Sequence, residues 1–138
     1  MTSAAEQLEA FLKRVPYVRF LGMQAELAGD ELTAILPFKP ELVGNVHLPA
    51  IHGGVLGAFM ELTAQTQLAI SQRTLKVPKA IDVTIEYLRS GRPMAVYARA
   101  EVRKVGRRVA NVHVQAWQDQ RAAPVAALGG HFMMEAED

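Results

Sequence analysis

At 138 residues, half of them hydrophobic and 21% charged, the chain has the composition of a globular protein with one core and too little length for two comfortable domains. Fifteen basic against fourteen acidic residues leave a formal charge of +1, which offers nucleic acid or an anionic membrane no general attraction. With no cysteine, disulfides, thiol nucleophiles and thiolate metal sites are excluded.

The expectation from these bounds is a single domain over residues 1–138, in a cytoplasmic setting. The N-terminal stretch MTSAAEQLEAFLKRV carries acids early and lacks the basic and apolar regions of a secretion signal. No run approaches the roughly 18 uninterrupted apolar residues of a membrane span.

Ser3 is placed to cap a short amphipathic helix within residues 1–16, with Leu8, Phe11, Leu12 and Val15 on one stripe and Pro16 as its stop. Met23, Ala25 and Leu27, then Leu32, Ala34 and Leu36, flank a Gly29-Asp30 turn, the pattern of a β-hairpin. Residues 37–52 contain three prolines and keep no period, which predicts a loop. A long helix follows from about Gly53 to about Arg73, with Val55, Leu56, Phe59, Met60, Leu62, Leu68 and Ile70 distributed around its axis.

After Pro78 the period changes to two. Ile81, Val83, Ile85 and Tyr87 alternate with Asp82, Thr84 and Glu86, and MAVYARAEVRKV, RVANVHVQAWQ and PVAALGGHFMM supply three further strands. The whole reads as α+β: an antiparallel sheet of about six strands wrapped around one long central helix, the hotdog fold.

Glu61 stands out within this plan as the one charged residue between Gly53 and Gln72. A helix this apolar belongs inside the protein, and a carboxylate carried inside is costly unless it has a partner or a task. The nearby sequence supplies no cation to pair it.

His52-Gly53-Gly54, followed by an acid nine residues after the histidine, resembles the signature of hotdog-fold acyl-coenzyme A thioesterases, the group that includes the phenylacetate-pathway and 4-hydroxybenzoyl-CoA enzymes. IDVTIEYLRSGRP, AEVRKVGRR and AALGGHFMM stand where that family has its last four strands, so the likeness covers roughly residues 17–134. It implies hydrolysis of an apolar or aromatic acyl-CoA, with coenzyme A entering as part of the substrate and neither metal nor resident cofactor required. Glu61 would be nucleophile or general base, and the N–H groups of Gly53 and Gly54 at the helix N-terminus would polarise the thioester carbonyl.

By the same resemblance Asn45 and Gln65 assist, although Asn45 stands one position further from the histidine than in relatives, and Ala80 replaces a serine or threonine that some of them carry. His52, Val55 and Phe59 would line the substrate, and Arg89, Ser90, Arg107 and Arg108 would reach the coenzyme. Geometry adds a constraint of its own. Eight residues of one helix separate Gly53 from Glu61 by about 12 Å, too far to serve one carbonyl, so the site is expected to be shared between subunits of a homodimer or a dimer of dimers.

Two rival readings remain open at this stage. His47, fourteen residues before Glu61, resembles the histidine of hotdog dehydratases acting on 3-hydroxyacyl thioesters, though the glycine before the helix falls in a different frame. A hotdog protein that binds acyl-CoA without turnover is the other.

Overall fold

The structure, a computed structural model, describes residues 3–45 and 47–134, and of Asn45 and Leu48 the backbone alone. Helix α1 (Ala4–Arg14) starts where Ser3 Oγ accepts the Glu6 N–H at 3.2 Å, and it buries Leu8 and Phe11. Pro16, expected as a stop, opens a second helix, α2 (Pro16–Leu21). The first helical position needs no N–H, so a proline there costs nothing and its fixed φ suits the turn. Gly22, at φ 78°, closes α2 in the left-handed region open to glycine.

The expected hairpin forms from β1 (Gln24–Ala28) and β2 (Glu31–Leu36), with Gly29 at φ 66° in the turn. The prolines of residues 37–52 do not prevent structure there, contrary to the reading as a loop. A 3₁₀ turn over Pro40–Leu42 leads into a small ribbon of β3 (Val43–Asn45) and β4 (Leu48–Ile51). Two backbone bonds of 2.8 Å, from His52 N to Leu42 O and from Ile51 N to Gly91 O, fix the end of that ribbon.

Helix α3 (Gly53–Gln72) runs unbroken for 20 residues and ends at Arg73, whose backbone turns left-handed at φ 54°. The remaining strands are β5 (Lys79–Tyr87), β6 (Val96–Val105), β7 (Val109–Trp117) and β8 (Ala126–Met133). All pairings are antiparallel, and the large sheet is ordered β1-β2-β6-β7-β8-β5. This is the hotdog arrangement expected from the hydrophobic periods.

Alternation decides which face of the sheet meets α3. On β7, Ala110, Val112, Val114 and Ala116 are buried while Asn111, His113 and Gln115 face outward, and on β2 Leu32, Ala34 and Leu36 are buried. Phe59, Met60 and Leu68 of α3 fill the concavity opposite them. Several of these strand positions are alanines, and small side chains let the sheet close tightly around a helix that is apolar on nearly every side.

Sheet order leaves β5 at an edge. On its inner face Ile85 and Tyr87 reach α3, yet Ile81 and Tyr87 are 49% and 55% exposed, so this end of the apolar face is incompletely covered. Among the described residues no helix is long and apolar enough to cross a membrane.

Candidate active site

The N-terminus of α3 is built around His52, which leaves the ribbon in an extended conformation (φ −58°, ψ 132°) and caps the helix with its own side chain. Its Nδ1 accepts the Gly54 N–H at 2.9 Å, and its carbonyl oxygen accepts from Val55 N and Leu56 N at 3.0 and 3.2 Å. Accepting through Nδ1 places the proton of a neutral imidazole on Nε2. The Tyr87 hydroxyl donates to Gly53 O at 2.8 Å.

The two amides expected to act together are therefore not equivalent. That of Gly54 is engaged by His52, whereas the Gly53 N–H has no acceptor among the described residues. It lies at the positive end of a 20-residue helix dipole, the position that favours an anion or a carbonyl oxygen gaining negative charge.

Glu61 departs from the burial expected of it. Every other residue from Phe59 to Ile70 is buried, but Glu61 is half-exposed. With Gly54 and Ala58 it forms a stripe at i, i+4 and i+7, the flank of α3 that the sheet does not cover. Its carboxylate makes no hydrogen bond or ion pair among the described residues. It therefore keeps part of its hydration and pays only part of the cost of burial.

Gln65, one turn further on and only 8% exposed, sends its amide nitrogen to Pro78 O at 2.8 Å, tying α3 to the segment before β5. Asn45 ends β3 beside β4, and its side chain lies outside the described residues. Val55 is half-buried near the helix start, while Phe59 is fully buried in the core and presents no open wall. His47 is exposed in the turn between β3 and β4.

The basic candidates divide between opposite ends of the sheet. Arg89 and Ser90 follow β5, close to the start of α3, and an Arg89 guanidinium nitrogen donates to Pro124 O at 2.8 Å. Arg107 and Arg108 lie between β6 and β7 at the other end, where Arg107 joins Leu68, Gln72 and Met134 around a cavity of about 240 Å³. The length of α3, about 28 Å at 1.5 Å per residue, separates these ends within one chain. No cluster of three or more histidine, aspartate or glutamate side chains among the described residues is arranged to hold a metal.

Tyr87 is the participant that sequence reasoning missed as a site residue. It lies 34 residues from the carbonyl it holds. The only trace of it in the sequence is its place at the apolar end of an alternating strand.

This geometry supplies a donor for a developing oxyanion and a carboxylate open to solvent, on one unbroken helix and about 12 Å apart. Residues 48–125 of the chain match the Thioesterase superfamily. The medium/long-chain acyl-CoA thioesterase YigI of Escherichia coli K12 is 29% identical over 140 residues, an alignment covering 91% of this chain and 90% of that protein. A crystal structure from Chromobacterium violaceum is 35% identical, covers 98% of both chains and superposes with a TM-score of 0.75. The E. coli PaaI protein of the phenylacetic acid degradation operon shares the fold at a TM-score of 0.79 and 20% identity, over 96% of this chain and 94% of that one.

Proposed function

The chain belongs to the thioesterase superfamily and is a thioester hydrolase, and from that premise we propose that it cleaves acyl-CoAs with apolar acyl groups of medium or long chain at a site shared by two copies of the chain. The likeness to YigI supports both the coenzyme and the chain length. The observation that carries the shared site is the 12 Å problem: among the described residues Gly53 N–H and the Glu61 carboxylate are both without a partner, yet one unbroken helix holds them about 12 Å apart. A two-fold axis crossing near Gly57 would set Gly53 of one copy against Glu61 of the other.

The uncovered inner face of β5 supports such an axis. An exposed sheet edge carrying Ile81, Tyr87 and Leu88 invites pairing with a second copy. In the resulting site the thioester oxygen accepts from Gly53 N–H. The Glu61 carboxylate either attacks the carbonyl carbon, expelling the thiolate and leaving an anhydride for water to open, or takes a proton from the water that attacks. Both routes yield free acid and thiol. Cations from Arg89, or from Arg107 and Arg108 of the second copy, receive the phosphates of the coenzyme.

The test is thiol release from short-, medium-, long-chain and aryl-CoAs by the wild type and by Glu61→Gln, which keeps the volume and removes the charge. The expected loss is about 10²- to 10⁴-fold in kcat, the range for one positioned base or nucleophile, with folding and assembly intact. Hydrolysis of aryl- or short-chain CoA alone would overturn the substrate class. A fully active Glu61→Gln variant would remove the carboxylate from the mechanism.

A further inference from the structure

The first turn of α3 begins with two glycines, which lose more backbone freedom than any other residue when fixed. A donor that stabilises an oxyanion, however, derives its value from being held in place before the charge develops. The site therefore combines a need for rigidity with the two residues least able to supply it. The rigidity comes from elsewhere in the chain.

The peptide joining Gly53 to Gly54 is gripped at both of its polar atoms. Its oxygen accepts the Tyr87 hydroxyl at 2.8 Å, and its N–H is taken by His52 Nδ1 at 2.9 Å. Any rotation of that peptide plane breaks both bonds. The preceding peptide is held through His52 O, which accepts from Val55 N and Leu56 N, so its N–H, on Gly53, is aimed in one direction.

Burial of apolar area within one copy of the chain does not explain why a tyrosine stands here, since Tyr87 is 55% exposed at the end of an edge strand. Its ring nevertheless lies directly on the glycines. A Cβ at Gly53 would come within 3.2 Å of Tyr87 Cε1, and one at Gly57 within 3.6 Å of the hydroxyl oxygen. Glycine thus provides the room for the aromatic ring that then fixes the glycine backbone.

We propose that Tyr87 is a positioning residue of the thioester site, its hydroxyl and the His52 cap together presetting the Gly53 N–H for the carbonyl oxygen of the substrate. This rests on the thioesterase reading for its consequence in rate, while the grip on the backbone belongs to the free protein. Tyr87→Phe removes the hydroxyl and leaves the ring on the glycines, so strand packing stays as it is and the melting temperature falls by no more than the few degrees that one lost hydrogen bond allows. The expected outcome is a fall in kcat of about 2- to 12-fold, the rate equivalent of one net hydrogen bond, with KM unchanged within error. Amide hydrogen exchange at Gly54, whose N–H is held by His52, should quicken, while protection in β6, β7 and β8 is preserved.

Unchanged kcat in the variant, or a loss that comes with a raised KM or with a melting temperature lowered by more than those few degrees, overturns the assignment. Should the wild type release no thiol from any acyl-CoA, the thioesterase reading fails by itself and exchange at the Gly54 amide decides the rest. Quickened exchange upholds the grip on the backbone, and unaltered exchange refutes it.

Discussion

Proline at position 53 would delete one atom-scale feature, the N–H proposed to meet the oxyanion. The first helical position needs no amide hydrogen, and the His52 backbone at φ −58° and ψ 132° already occupies the extended region that a residue before proline adopts. Gly53→Pro should therefore fold and assemble while losing about 10²- to 10³-fold in kcat, the effect of removing one oxyanion donor. Gly53→Ala serves as the control, because it brings a similar contact with the Tyr87 ring, 3.2 Å at Cε1, and keeps the N–H. When Gly53→Pro and Glu61→Gln chains, each inactive alone, are co-expressed, random pairing makes half of the dimers mixed. Each mixed dimer then holds one site with both groups intact and one with neither, so thiol release should recover to about a quarter of the wild-type rate. Recovery to that level identifies a site built from two chains. Tandem purification of the mixed species, followed by the same assay with no recovered activity, would refute the shared-site reasoning and require both groups to act within one chain.

The fold offers two further tests. Gly130 lies in β8 beside β5, where a Cβ would stand 2.6 Å from Asp82 O and 2.9 Å from Val83 Cγ1, so reaching ordinary contact at 3.4 Å means moving backbone by about 0.8 Å (3.4 − 2.6). Gly130→Ala is expected to cost about 1–3 kcal/mol, read as a lower midpoint in urea, and an equal or higher midpoint would contradict the close approach of the strands. Gln67, buried in α3, accepts from Leu32 N and donates to Asp30 O, both at 2.8 Å, and so ties the first hairpin to the helix. Gln67→Leu leaves that buried N–H unsatisfied and should cost about 1–3 kcal/mol, whereas wild-type stability by chemical unfolding would show that the bonds have no net worth.

Where the sequence alone misled, the reason lies in how local signals are read. Pro16 does end α1, which closes at Arg14, but the rule that a helix cannot pass through proline does not show that the same residue opens the next helix. The ribbon of β3 and β4 was invisible because its strands are three and four residues long and draw their support from Leu42 and Gly91, not from any period of their own. Glu61 was expected to be buried because its neighbours in sequence are apolar. The sheet instead covers most of α3 and leaves one flank open, and Glu61 is on that flank. Phe59, placed beside a substrate from its sequence neighbourhood, points into the core.

The sequence by itself determined the elements whose causes are local. The 20-residue helix, the turn at Gly29 and the four alternating strands follow from period, glycine and proline, which act over a few residues whatever the chain does elsewhere. The placement of His52-Gly53-Gly54 at a helix start belongs to the same class, since a cap is a contact between near neighbours. Only the tertiary structure decided which face of the helix is open, and that a tyrosine 34 residues away holds the peptide between the glycines. Those outcomes depend on how β5 comes to lie against α3, a contact between segments far apart in the chain that no local period encodes.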